Sequence, residues 1–430
     1  VDTHEKRSKF SVAVVGCGHK GIFFANAFAD AGFNVICTDA DASVVKKVAR
    51  GKTAFGMPEA ETKLKGHISA EKIDVTTELK RAVAKSDVIV IAITAKVDDQ
   101  KKNDFTGLVN TCKQVGASLR QGTVVIYGGL ASLGFMEGTI KELLENTSGL
   151  KAGRDFGLAY SPVLDTAASL VDSEFKLAAT DQVSLSAAAI ILRTLTSNLK
   201  EVCDLKTAET AALFAVAQQD TTSALTNELA VFCETAKIDY FRVLDVLNLN
   251  NPSFRPAIAE EEKNEAYLLL EVAENLNAKL KLAALARQIN EVMVKHAVDL
   301  VHEGLRCCGK TLRRGKVAIL GHVNPASDIG GFVRLLEQKG AKVSIYDPAA
   351  GKETFGSEVV KTSLNEALEG ADCLIVLSDK EQFNHLNLKK LKAMMKSPAA
   401  VVDLVGKFEP VQVDTEGFIY CGLGRGKEQK

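Results

Sequence analysis

The hexapeptide Gly16-Cys17-Gly18-His19-Lys20-Gly21 reads G-x-G-x-x-G; it follows an apolar run, SVAVV, and opens a stretch with helical spacing. Three glycines so placed permit a tight turn, a close backbone approach to a pyrophosphate, and tight packing of the following helix. The helix N-terminus they open presents free amides that suit phosphate oxygens. A second apolar run, NVICT, ends in Asp39, 18 residues after Gly21. A carboxylate at that place accepts hydrogen bonds from ribose hydroxyls and repels a 2′-phosphate, so the pattern predicts a site for NAD in preference to NADP. Gly16, Gly18, His19, Lys20, Gly21 and Asp39 are therefore the candidate cofactor-binding residues. Other readings stay open: a strand-to-helix turn with no ligand, Asp39 as a helix cap, and His19 and Lys20 as solvated turn residues rather than phosphate ligands.

The elements that must position these residues alternate through residues 10 to 150. Strand-like SVAVVG, NVICTD, DVIVIAI and TVVIYGG are separated by helical stretches at about 20–31, after Asp41, and near 105–119. Strands apolar on both faces are those of a parallel sheet covered by helices on two sides. From about 182 to 312 the pattern turns to long amphipathic stretches. Residues 207–236 and 265–303 contain neither Gly nor Pro, and the second stretch predicts a helix running as a spine toward the C-terminal part. Strand patterning then returns in KVAILGHV, KVSIYDP, DCLIVLSD, AAVVDLV and FIYCGLG. The fold class expected is α/β: an N-terminal Rossmann domain (1–181), an all-helical central domain (182–312) and a C-terminal Rossmann-like α/β domain (313–430). The second α/β half carries GHVNPASDIGG at 321–331, which lacks the glycine fingerprint and predicts no second dinucleotide.

At 430 residues, with 46% hydrophobic and 25% charged residues, the composition is that of a globular protein of two or three domains. A net charge of −1, with Lys and Arg scattered, gives no footprint for nucleic acid or an anionic membrane. No apolar run approaches the roughly 20 residues of a membrane span, and VDTHEKRSKF lacks the apolar core of a secretory signal; a cytoplasmic location is expected. Nine cysteines, mostly in apolar settings such as VICTD and DCLIVL, read as reduced core residues. The adjacent Cys307 and Cys308 read as a helix end, and no spacing of His and Cys predicts a metal.

The three-part order, together with VAVVGCGHKG, SDVIVIAI, QGTVVIYGG, YSP at 160–162, AETAALF, TNELAVFCETAKID, LAALARQINEVM and GAKVSIYDP, resembles the UDP-glucose/GDP-mannose dehydrogenase family over about residues 10–425. The resemblance implies an NAD-dependent enzyme, a homodimer built on the helical centre, and a nucleotide sugar as small-molecule substrate. It also implies a cysteine in a GGxCxPxD loop that traps an aldehyde, with a lysine, an asparagine, an aspartate and a glutamate handling protons and water. On this chain the cysteine's place falls at about Glu260, within AIAEEEKNEAYLL (257–269), and no cysteine stands between Cys233 and Cys307. The aspartate falls near Asn264, the lysine at Ala212, the asparagine at Val216 and the glutamate at Val163. Positions that offer Lys and Arg to the nucleotide sugar read Asn324, Pro325 and Gly330 or Gly331.

A carboxylate cannot form the acyl intermediate that a thiolate forms, so the covalent four-electron oxidation is not expected here. The leading expectation is an NAD-dependent oxidoreductase acting on a CH–OH group in one two-electron step. Lys96, Asp98, Asp220 and Lys263 are candidate bases among which spacing does not choose, and Glu260 or Glu261 would be new site residues if the acidic segment is not a solvated loop. Alternatives are a non-catalytic NAD(H)-binding scaffold and an ordinary nucleotide-sugar 6-dehydrogenase.

Overall fold

The computed structural model describes residues 3–53, 58–98, 101–164, 174–249, 251–258, 265–323, 327–348, 354–355, 358–361, 363–378, 383 and 386–426. The chain divides into two compact units, one of residues 1–217 and 264–279, the other of residues 218–263 and 280–430.

The first unit is built on an eight-stranded sheet. Its strands are β1 (Ser11–Val15), β2 (Asn34–Thr38), β3 (Ile73–Thr76), β4 (Val88–Ile91), β5 (Val124–Tyr127), β6 (Gly157–Tyr160), β7 (Phe175–Ala179) and β8 (Leu199–Glu201), in the order β8-β7-β6-β5-β4-β1-β2-β3. β1 to β6 are mutually parallel, and β7 runs antiparallel to β6. The sheet is sandwiched because successive residues of its central strands are apolar and point alternately to its two faces. Val12, Val14, Val88, Val90 and Ile126 enter one core with Phe24 and Phe28, whereas Ala13, Val15, Ile89, Ile91 and Val125 enter the other with Leu108 and Val115. Each such fully buried aliphatic side chain contributes roughly 1.5–3 kcal/mol relative to exposure. β8 carries the sheet past residue 181, within the stretch whose pattern reads as helical; three half-polar residues on an edge strand give no alternation to detect.

The helices that matter here are α1 (His19–Asp30), α2 (Gln182–Leu192), α3 (Leu205–Ala236), α4 (Glu265–Asn275), α5 (Lys281–Cys307) and α6 (Asp328–Gln338). The single spine helix expected over 265–303 is two helices. Asn277 adopts φ +54°, and the amides of Asn277 and Ala278 close back on the carbonyls of Glu274 and Ala273 at 2.9 and 2.8 Å. That is a left-handed C-terminal cap, a role asparagine fills as glycine does, so the absence of Gly and Pro did not guarantee continuity. α5 ends at Cys307, with Cys308 as its C-cap, as the vicinal pair suggested.

The second unit is built on a five-stranded, all-parallel sheet of β9 (Lys316–Leu320), β10 (Lys342–Tyr346), β11 (Cys373–Val376), β12 (Ala400–Asp403) and β13 (Ile419–Gly422), in the order β10-β9-β11-β12-β13. Met293, Ala297, Val301 and Leu305, four residues apart along α5, enter one core with Val317, Ile319, Ile375 and Val402. All nine cysteines are free thiols, and Cys17, Cys37, Cys112, Cys233, Cys308 and Cys373 are buried. Among the described residues no helix is long and apolar enough to cross a membrane, and no cluster of His, Cys, Asp and Glu could hold a metal ion.

Candidate active site

In an open α/β sheet the ligand crevice lies beyond the carboxyl ends of the strands where the strand order reverses. Here that point is between β1 and β4. The glycine turn occupies it. Gly16 has φ +98°, and a Cβ there would lie 2.8 Å from Ile93 Cγ1 and 3.3 Å from the Ala92 carbonyl oxygen, so no other residue turns the chain so tightly. Gly18 is the N-cap of α1, has no side-chain cap, and a Cβ on it would meet nothing within 4 Å. A Cβ on Gly21 would collide with the Gly16 carbonyl oxygen, so the helix rests directly on the turn. Each glycine thus meets one of the three demands of a pyrophosphate cradle, and the open backbone at Gly18 is the approach such a group needs.

Asp39 is half-buried, with Oδ2 accepting from the Cys17 amide at 2.8 Å and Oδ1 from the Asp41 amide at 2.9 Å. The cap of the helix Ala42–Val48 is Asp41, which accepts from the Ser43 amide at 2.7 Å, so the alternative role for Asp39 falls to its neighbour. Asp39 instead faces the glycine turn. The thiol of Cys17, inside the turn, is held protonated by its hydrogen bond with Cys37 and by burial, which makes it no substitute nucleophile. His19 and Lys20 are half-buried, and Lys20 Nζ pairs with the carboxylate of Glu265, the first residue of α4.

The far side of the crevice is walled by the ends of β5 and β6. Beneath those strand ends Tyr127 and Tyr160 are fully buried in the core and stack with ring centroids 5.9 Å apart. Tyr127 Oη lies 3.1 Å from the Ile93 carbonyl and 3.0 Å from that of Leu130, while Tyr160 Oη accepts from the Ala131 amide at 3.2 Å. Burial raises both phenols, which stay protonated. Glu209, on α3, is fully buried and accepts from the amides of Gly134 and Met136 at 2.6 and 2.8 Å; burial raises its carboxyl against the pull of those two amides. These tyrosines and Glu265 carried no recognisable spacing in the sequence. The strings YGG and YSP that contain or follow the tyrosines were the sole signal.

Three of the four positions where the family resemblance implies proton-handling groups, those of the lysine, the asparagine and the glutamate, are apolar and packed. Ala212, 1% exposed, lies with Leu130, Leu213, Leu268 and Leu269 in one cluster against which Val216 also packs. Val163 is buried beside the β1 face of the sheet. Glu260, Glu261, Lys263, Asn264, Asn324 and Pro325 lie outside the described residues. Of the four candidate bases, Asp98 accepts from the Lys102 amide at 2.9 Å in a turn, and Lys96 is exposed on a two-residue strand. Asp220 is 4% exposed and belongs to a helix-to-helix network, 3.1 Å from Arg287 Nε and accepting from Asn290 Nδ2 at 2.9 Å, with Asn227 bonded in turn to Asn290.

In the second unit the corresponding strand ends bring His322 Nδ1 within 3.0 Å of Asp347 Oδ2, beside Gly321 at φ +139°. Ser327 caps α6 by accepting from the Gly330 amide, and Gly330 and Gly331 form that helix's first turns where charged side chains were in question.

A parallel sheet whose switch point carries this glycine turn and acidic strand end defines a Rossmann domain of the NAD-binding kind. Residues 10–176 match the NAD-binding domain of the UDP-glucose/GDP-mannose dehydrogenase family, and residues 326–410 match that family's UDP-binding domain. The chain belongs to the UDP-glucose/GDP-mannose dehydrogenase family. It is 25% identical to UDP-N-acetyl-D-mannosamine dehydrogenase of Pyrococcus horikoshii, over 96% of this chain and 99% of that one. It is 24% identical to UDP-glucose 6-dehydrogenase of Bacillus subtilis, over 96% and 93% of the two chains. Among solved structures, that of UDP-D-ManNAc dehydrogenase from Pyrococcus horikoshii shares the fold with a TM-score of 0.79 at 24% identity, covering 97% of this chain and all of the other.

Removing the Asp39 carboxylate tests the site's specificity. Asp39→Ala should weaken NADH binding about tenfold, the loss of one charge-assisted hydrogen bond, and should narrow the gap between NADH and NADPH. Titration of both dinucleotides by intrinsic NADH fluorescence reads the two effects together.

Proposed function

We propose that this chain is an NAD-dependent oxidoreductase that removes one hydride from a CH–OH group of a small molecule, a nucleotide sugar being the first class to try, without the covalent four-electron machinery of its family. The observation that carries this reading is the pairing of an intact cradle, Gly16 to Gly21 with Asp39, with the apolar cluster around Ala212 and Val216. NAD supplies the hydride acceptor when bound. The chain's own contribution is the turn that receives the pyrophosphate and the carboxylate that orients a ribose. A thioester step would need a thiolate. The sequence offers no cysteine from 234 to 306, and burial keeps the thiols of Cys112, Cys308 and Cys373 raised.

The test is NADH production, followed at saturating NAD with UDP-glucose, UDP-N-acetyl sugars, GDP-mannose and hydroxy acids, before and after alkylation of every thiol. Turnover that survives alkylation and stops at the aldehyde or ketone supports the two-electron enzyme. Tight cofactor binding with no turnover supports a non-catalytic NAD(H)-binding protein, a reading favoured by the burial of Asp220 and the packing of Ala212. A uronate product would restore the ordinary 6-dehydrogenase, the activity carried in the name of the Bacillus subtilis relative.

Self-association belongs to the same proposal. On α3, Leu225, Leu229 and Phe232 are exposed at helical spacing, Phe232 by 64%, and on α5 Leu282, Leu285 and Val292 form a second exposed stripe. Such apolar faces on paired long helices suit a second copy of the chain. Light scattering should give a dimer mass, and Leu229→Glu with Phe232→Glu should give a folded monomer; an unchanged mass in the double variant removes these stripes from the interface.

A further inference from the structure

Asp39 stands at the end of β2, on one side of β1, where it would orient the adenosine ribose. The remaining nucleoside must then cross the N-terminus of α1 to the other side, above β4, β5 and β6. Lys20, the second residue of α1, has its ammonium on that side, paired with Glu265 of α4. α4 is anchored over the same wall: Leu268 and Leu269 cluster with Leu130, which follows β5, and Glu271 accepts from the Asn103 amide at 3.1 Å. Glu265 also acts on the phenols at the ends of β5 and β6. The ion pair is largely withdrawn from solvent, with side chains 13% and 27% exposed. It ties the glycine turn to the opposite wall of the crevice.

We propose that the Lys20–Glu265 ion pair bars the nicotinamide half of the crevice, so that dinucleotide entry displaces the Glu265 carboxylate and Lys20 exchanges it for the pyrophosphate. The inference rests on the NAD reading of the site. Its physical basis is that one ammonium at a helix N-terminus cannot serve a carboxylate and a diphosphate at once, and that the two anions repel each other if both stay. The consequence is a difference in sign. Removing the carboxylate frees Lys20 and relieves repulsion, whereas removing the ammonium leaves the carboxylate facing the phosphates.

Calorimetric titration of the full chain with NADH tests this. Glu265→Gln should bind NADH about tenfold more tightly than wild type and Lys20→Met about tenfold more weakly. A merely structural ion pair would weaken both or neither, and either result overturns the bar. Hydrogen exchange on the wild type gives a second readout that needs no variant. NADH should speed exchange in the first turn of α4 as Glu265 is released, and protection or no change there overturns the bar. Absence of NADH binding to wild type and Glu265→Gln alike overturns the cofactor reading and the bar with it; binding to wild type with equal affinity for Glu265→Gln overturns the bar alone.

Discussion

Gly21→Val should yield a folded protein that binds NADH about a hundredfold more weakly. Its Cβ has no room against the Gly16 carbonyl, so α1 must lift off the turn and the first-turn amides move with it. Overpacking of this kind costs about 1–3 kcal/mol of stability. Directed at a cradle whose value lies in its geometry, a loss of about 3 kcal/mol is roughly a hundredfold in affinity. Calorimetry with NADH, beside a melting curve, measures both. Gly18→Ala is the control, because its Cβ enters open space: stability should hold while affinity falls, since the added methyl stands where a phosphate would approach. A folded Gly21→Val that binds NADH like wild type would mean that the turn is not the cradle.

The largest effect on stability should come from Asp220→Ala. Arg287 is 5% exposed and 3.1 Å from the Asp220 carboxylate, so Asp220→Ala takes an anion away from a buried guanidinium. Breaking a buried ion pair from one side costs about 3–5 kcal/mol, and replacing both partners by apolar groups of similar volume is often neutral. Asp220→Leu with Arg287→Met should therefore recover most of what Asp220→Ala loses in denaturant unfolding. NADH affinity, which depends on the other unit, should stay unchanged in every folded variant. Should the double variant remain fully stable and yet abolish a measured turnover, Asp220 would return as a proton acceptor.

The two network residues illustrate how far residue types alone carry. Asp220 is a carboxylate on a central helix, and spacing cannot distinguish a base from half of an ion pair. The distinction depends on Arg287, 67 positions away, and hence on how α3 and α5 pack. The same holds for Lys20, whose partner Glu265 is distant in sequence and follows a segment whose pattern suggests a solvated loop. Helix continuity is a local matter, but its signal misled: the left-handed Asn277 broke the 265–303 stretch without any Gly or Pro. β8 leaves no signal in the sequence because three half-polar edge residues show no period.

What the sequence determined by itself is whatever depends on short-range stereochemistry and on the two-residue or 3.6-residue period. Those are the parallel sheets with apolar residues on both faces, the glycine turn whose φ, clearance and packing need no side chain, and the acidic end of β2. Only the tertiary structure decided which carboxylate caps the helix after β2, that Ala212 and Val216 sit in an apolar cluster, that Asp220 pairs with Arg287, and that Lys20 pairs with Glu265. Those outcomes depend on which distant groups share a low-dielectric space. Burial and charge pairing are properties of that shared space, and a chain read one residue at a time does not contain it.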